Sequence, residues 1–87
     1  MPYQITTVSH TDEMQFDSNG NLAPGAVYLA DLSAAGLSFV QPNSITNNND
    51  GTTTTIRHFD DFVLALAWEK VIQARTATIS TKLVVVQ

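Results

Sequence analysis

The residues best suited to chemistry are a histidine and two aspartates in the second half of the chain. His58 is followed closely by Asp60 and Asp61, and a histidine near a carboxylate can act as general base for a serine or threonine nucleophile. A small hydrolase using these residues is therefore one hypothesis. No GxSxG sequence accompanies them, and an aspartate before an apolar stretch is typical of a helix N-cap. We therefore predict no catalytic residues, with His58 at a hairpin-to-helix junction.

A second polar group has the atoms that metal ions bind, and its members are His10, Asp12, Glu13 and Asp17. Carboxylates suit hard cations and imidazole suits transition metals. The spacing of Asp17, Asn19 and Asn21 resembles the opening of a calcium-binding EF-hand loop, but the sixth position is Leu22 rather than glycine and the twelfth is Tyr28 rather than glutamate. The segment is therefore predicted to be a solvated loop and turn, without a metal or a cofactor.

The distribution of charge excludes several classes of partner. Residues 1–56 carry five acidic residues and no lysine or arginine, whereas residues 57–87 carry four basic and three acidic residues. Binding to nucleic acid requires clustered basic side chains, so we expect no nucleic acid partner. No apolar run approaches the length of about 18 residues that a membrane span needs, and no signal-peptide pattern opens the chain. We expect neither.

Elements that must position these residues follow from local patterns. Alternating or β-branched stretches predict strands at Tyr3–Ser9, at Ala26–Leu32 and again at Leu37–Gln41. The Asp50-Gly51 step predicts a hairpin between Ser44–Thr46 and Thr52–Arg57. One helix is predicted at about residues 61–75, because aspartates precede it and Lys70 and Arg75 fall near its end. The fold class is therefore α+β, mainly antiparallel β-sheet with one α-helix.

The last part of the chain returns to a period of two. We predict a single small domain over residues 1–75, followed by an extended C-terminal strand or arm over residues 76–87. The segment from Leu83 to Val86 is apolar on both faces and has no proline or charge to protect its edge. Such a strand can add to another sheet through main-chain hydrogen bonds.

The predicted interaction surface combines the helix and this tail. The helix is apolar over more than one stripe, which is typical of a helix covered on several sides. An aromatic residue at helical spacing is usually a core residue, so Trp68 is first a core prediction. The residues predicted for an interface are Trp68, Ile72, Leu83, Val84, Val85 and Val86. Self-association, as a trimer for example, and contact with a larger protein would cover them.

The chain as a whole resembles small bacteriophage virion proteins of the capsid cement or decoration type. The features that carry the resemblance are the absence of cysteine, the eleven threonines, the acidic excess, the hairpin from Ser44 to Arg57 and the tail from Thr76 to Gln87. The resemblance implies a homo-oligomer that binds a major capsid protein and stabilises the shell. It also implies a place in the virion, with assembly in the host cytoplasm. A tail or head-completion role fits the same general character. The alternative from another class is a small acidic inhibitor or regulator of a host protein.

Overall fold

The computed structural model describes residues 2–86, which form an antiparallel sheet of four strands with two helices. The elements along the chain are β1 (Tyr3–His10), α1 (Ala26–Ala34), β2 (Ser44–Asn47), β3 (Thr52–Phe59), α2 (Phe62–Gln73) and β4 (Thr78–Val85). The strand order is β2-β3-β1-β4, so the first strand lies inside the sheet and the last one lies at an edge. The predicted α+β class is confirmed.

The predicted hairpin joins β2 to β3 in antiparallel register. Its turn contains two residues with positive φ, Asn49 at 62° and Gly51 at 87°, a conformation that these residue types adopt more easily than others. The Asn48 amide donates to the Thr52 carbonyl at 3.0 Å. Hydrogen bonds from the Thr52 hydroxyl and amide hold the pKa of Asp50 below its usual value. The turn is therefore closed by its own polar residues.

The predicted helix is α2, and its N-cap is Asp61. One carboxylate oxygen of Asp61 accepts from the amide of Val63 at 2.8 Å and from the amide of Leu64 at 3.4 Å. These amides have no partner within the helix, so the cap satisfies them. The helix ends at Gln73, two residues before the predicted end. Either Asp60 or Asp61 was expected to cap this helix, and the contacts show that Asp61 is the cap.

The strand predicted at Ala26–Leu32 is wrong, because this segment lies in the helix α1, and residues 2–86 contain two α-helices rather than one. Tyr28 and Leu32 are four residues apart, and they are the least exposed side chains of the segment. This spacing places them on one helical face. The helix then ends in a Schellman motif: Gly36 (φ 75°) donates to the Ser33 carbonyl and Leu37 to the Leu32 carbonyl.

The strand predicted at Leu37–Gln41 is also absent, and residues 37–43 form a connection without regular structure. Leu37 is committed to the helix cap, and its side chain packs against the core. Phe39 packs against the core as well, while the Val40 carbonyl accepts a hydrogen bond from Arg57 Nε at 2.7 Å. The alternation of apolar residues here reflects a loop lying on the core, not a member of the sheet.

The core lies between one face of the sheet and the two helices. Its fully buried members are Ile5, Leu32, Ala65, Trp68 and Ile72. On β1 and β3 the same face carries Thr7, Thr53, Thr55 and Arg57, which are also buried. The opposite face carries residues such as Thr6, Val8 and Ile56, which remain partly exposed. Both helices therefore cover one face only.

The C-terminal segment, for which a strand or an extended arm was expected, contains the strand β4. β4 pairs antiparallel with β1, from Tyr3 opposite Val85 to Ser9 opposite Thr78, with a register irregularity between Val8 and Ser9. The pairing continues past the strand end, since the Val86 amide donates to the Pro2 carbonyl at 2.7 Å. The outer edge of β4 has no further strand beside it within residues 2–86.

Candidate functional site

The predicted interface residues fall into two groups that the structure separates. Trp68 is 0% exposed and Ile72 is 3% exposed, and both belong to the core of their own chain. A side chain enclosed in this way cannot contact a second protein directly. The core prediction for Trp68 is confirmed, and the interface prediction now depends on β4 and its surroundings.

The four C-terminal members lie at the sheet edge. Val85 is 64% exposed, while Leu83, Val84 and Val86 are partly buried. Hydrogen bonds alternate in direction along an antiparallel pair. Because the Val86 amide donates to the Pro2 carbonyl, on the side where β1 lies, the amides of Leu83 and Val85 point to the outer edge. They are directed to the position that an added strand would occupy.

Exposed apolar side chains lie at this edge and at the start of α2. Tyr3 is the register partner of Val85, and its ring centre lies 5.4 Å from that of Phe62 at the start of α2. The exposed fractions are 48% for Phe62, 72% for Val63 and 47% for Leu64. We call Phe62, Val63, Leu64 and Val85 the apolar rim. The first turn of α2 is thus exposed to solvent, whereas its later turns bury one face against the core.

A second feature is a cleft of about 270 Å³ between the sheet and the helices. Its floor includes Thr7 of β1 together with Thr55 and Arg57 of β3. The N-terminus of α1 and the residues that follow α2 form its walls, and the loop at 13–15 and 22–24 completes the lining. Sequence reasoning did not identify this cleft, because its polar residues come from distant parts of the chain.

Arg57 is the charged group of the cleft floor and is 3% exposed. Its guanidinium has two hydrogen bonds within residues 2–86, one to the Val40 carbonyl at 2.7 Å and one from Nη1 to the Thr55 hydroxyl at 3.4 Å. No aspartate or glutamate in that range forms an ion pair with it. Burial lowers the pKa of Arg57, and the nearby Tyr28 acts in the opposite direction. A buried cation therefore stands without a counter-ion.

Arg75 supplies a second cation at the wall of the same cleft. Its Cζ atom lies 3.9 Å from the ring centre of Tyr28, and its Nη1 atom lies 3.7 Å from the Asp31 carboxylate. Asp31 is 53% exposed and Arg75 is 23% exposed at the side chain. The pair is partly exposed, and such contacts contribute little to stability.

Two sets of hydrogen-bond donors in the cleft lack partners. Thr7 is 3% exposed, and its hydroxyl has no hydrogen-bond partner among residues 2–86. The N-cap of α1 is Gly25, which has no side chain to bond the first amides, and the first helical bond is from Leu29 to Gly25. The amides of Ala26, Val27 and Tyr28 therefore have no partner inside the helix. These residues line the cleft, so its donors include a helix N-terminus.

The residues first considered for catalysis are used differently. His58 lies in β3, and its Nε2 atom is 3.0 Å from Gln4 Oε1. Asp61 accepts from the α2 amides, and none of the hydrogen bonds of residues 2–86 joins His58 to Asp60 or Asp61. The contacts give no support to a catalytic pair, and the lack of enzymatic activity stays a prediction.

The residues first considered for a metal lie in an exposed segment. Asp17 Oδ1 accepts from the amides of Asn19 at 2.9 Å and Asn21 at 3.0 Å, which forms a turn closed by a side chain. Among residues 2–86, no three histidine, aspartate or glutamate side chains are grouped so as to hold a metal ion.

Neither helix within residues 2–86 has the length and apolar character needed to cross a membrane.

Comparison of this chain with protein-family models, with curated proteins and with solved structures finds no match.

Proposed function

We propose that this chain is a non-enzymatic structural protein that self-associates and stabilises a larger protein shell, as a viral capsid cement protein does. The observation that carries the proposal is the open outer edge of β4, which carries the exposed Val85. An edge strand has unpaired backbone groups, and natural monomers usually protect such edges with charges, prolines or a covering element. In β4, Lys82 is the single charged residue.

A second copy of the chain would meet no acidic side chain of β4 at this edge. None of the eight acidic residues belongs to β4, although the whole chain has a net charge of −4. Two copies can therefore approach along β4 without bringing carboxylates together. Antiparallel pairing would satisfy the outward amides of Leu83 and Val85, and it would join the two sheets into one.

Burial of the rim would supply part of the energy of self-association. Fully burying an aliphatic or aromatic side chain contributes about 1.5–3 kcal/mol, and the rim has four such side chains, each at least 47% exposed. A stable interface buries about 800 Å² on each partner. That is a modest share of the 5227 Å² surface of the chain.

The larger partner in this proposal is a major capsid protein, with the virion as the site of action. Strand addition at the β4 edge would attach the chain to a sheet or extended segment of that protein. Main-chain hydrogen bonds would supply part of the affinity, and the apolar rim would supply the contact surface. Repeated on a shell, such contacts would join neighbouring subunits.

The experiment is light scattering after size exclusion, with variants of the rim. The full chain is expected to give an oligomer mass, and Val85→Lys, which places a charge at the edge, is expected to give the monomer mass. Leu29→Lys is the matched control, because Leu29 is 45% exposed on α1 and outside the rim. A monomeric wild type, or equal masses for all three chains, would count against the proposal.

The acidic-regulator alternative makes a different prediction about salt. Asp12, Glu13 and Asp17 are exposed together in the segment after β1, and attraction of a basic partner by such residues weakens strongly as salt screens it. Apolar association changes little under the same conditions. Partner binding that disappears at about 1 M salt would favour the regulator, and binding that persists would favour the structural protein.

A further inference from the structure

We infer that the cleft between the sheet and the two helices binds a small organic anion, with a carboxylate head at Arg57 and an apolar ring or branched body toward Tyr28 and Ile72. This inference goes beyond the proposed structural role, because a ligand in the cleft does not depend on the β4 edge. It rests on the uncompensated cation, the unpaired donors, and the size and lining of the cleft.

The charge of Arg57 favours an anionic ligand. A buried charge is costly unless it is paired and hydrogen-bonded, and Arg57 has hydrogen bonds from only two of the five N–H groups that a guanidinium offers. The aromatic rings of Trp68 and Phe39 stabilise its face, at 4.8 and 5.5 Å from Cζ, but they accept no in-plane hydrogen bonds. A carboxylate matches the unused edge of the guanidinium.

Additional hydrogen-bond donors around the cleft favour the same kind of ligand. The Thr7 hydroxyl is buried without a partner, and both the N-terminus of α1 and Arg75 line the cleft. Helix N-termini favour negative charge through their free amides and the helix dipole. Donors from three separate elements therefore converge on the space, while the Glu13 carboxylate at its margin is the single acidic group lining it within residues 2–86.

The size and the apolar lining of the cleft favour a ligand with an apolar body. A cavity of about 150 Å³ holds benzene, and the present cleft of about 270 Å³ has room for a six-membered ring with a carboxylate. The side chains of Met14, Leu22 and Ile72 give it apolar walls. A bare inorganic anion would leave these walls unfilled, so the preferred ligand has an apolar body.

The test is an NMR titration of the full chain with sodium benzoate, with benzamide as the neutral probe of the same shape and inorganic phosphate as the anion without a ring. Benzoate is expected to saturate and to shift the amides of residues 26–28 and the Arg57 Nε–H signal. Benzamide and phosphate are each expected to bind at least about tenfold more weakly, which corresponds to the loss of one charge-assisted hydrogen bond or of the buried ring.

Variants then separate the cleft from general effects on folding. Thr7→Val keeps the side-chain shape and removes the hydroxyl, and it is expected to weaken benzoate binding about threefold or more. Thr81→Val is the matched control, since Thr81 is opposite Thr7 in the sheet and has an equally buried, unpartnered hydroxyl that does not line the cleft. Arg75→Gln is expected to weaken binding and Glu13→Gln to strengthen it.

Failure has equally definite signs. The inference is overturned if benzoate gives no saturable shift, if benzamide or phosphate binds as well as benzoate, or if the shifted amides lie outside the cleft. Equal effects of Thr7→Val and Thr81→Val on benzoate binding would also overturn it. These readouts do not depend on self-association, which Val85→Lys tests separately.

Discussion

The Cζ atom of Arg57 lies 4.8 Å from the ring centre of Trp68, so that a cation without a carboxylate partner within residues 2–86 packs against the largest residue of the core. Desolvated cation–π contacts contribute about 2 kcal/mol or more. This contact explains how β3 can direct an arginine inward. It also leaves the edge of the guanidinium free for other acceptors.

The first prediction compares two replacements of Arg57. Arg57→Met keeps most of the buried volume and removes the cost of burying the charge, so its free energy of unfolding is expected within about 1.5 kcal/mol of the wild type. Arg57→Ala leaves a void beside Trp68 and is expected to lose about 3 kcal/mol. Urea denaturation measures both. Equal losses would show that the charge itself stabilises the fold.

The second prediction concerns buried threonines on the core face of the sheet. Thr7→Val replaces a hydroxyl that has no partner and is expected to raise the free energy of unfolding by about 1 kcal/mol. Thr53→Val is the contrasting variant, because Thr53 bonds to the Thr11 hydroxyl at 2.7 Å, and it is expected to lower that energy by about 1 kcal/mol. Destabilisation by Thr7→Val would mean that its hydroxyl has a partner in solution.

The third prediction concerns the start of α2. Asp61→Ala removes the acceptor for the amides of Val63 and Leu64 and is expected to cost about 1 kcal/mol of stability. Asp60→Ala is the control, because its carboxylate makes no capping bond, and it is expected to change the stability by less than about 0.5 kcal/mol. Thermal unfolding followed by circular dichroism measures both, and equal losses would argue against the cap.

The fourth prediction concerns the stability of the fold at alkaline pH. Burial raises the pKa of Tyr28 above its ordinary value of 10.0, against the opposing effects of Arg57 and Arg75. The folded state then holds a proton that the unfolded state releases, so stability present below pH 10.0 is lost as the pH rises through the folded pKa. Tyr28→Phe is expected to lose less stability over this range. Identical pH profiles for the two chains would contradict the assignment.

Local signals in the sequence were sufficient for two parts of the fold. The turn at Asp50-Gly51 requires positive φ and the segment after Asp61 requires a cap, and in both places the residue type satisfies a local backbone need. The segment at Ala26–Leu32 misled because a short apolar stretch alternates by chance. The Gly36-Leu37 pair, which closes the helix, was the signal that could have corrected it.

The candidate sites were harder to predict, for two physical reasons. In β3 the apolar Ile56 lies on the uncovered face, while Thr53, Thr55 and Arg57 lie against the core, so hydrophobicity alone points to the wrong face. The cleft also combines Thr7 and Arg57 from two strands with Arg75 from the segment after α2, which are far apart in sequence. Only the three-dimensional pairing of β1 with β3 and β4 brings their elements together.

The central claim is that the outer edge of β4 pairs with another strand, and amide hydrogen exchange at two protein concentrations tests it most directly. The amides of Leu83 and Val85, which point away from β1, are expected to exchange more slowly at millimolar than at low micromolar concentration. The amides of the opposite edge strand, β2, are expected to exchange at the same rate at both. Rapid exchange of Leu83 and Val85 at both concentrations would contradict the claim.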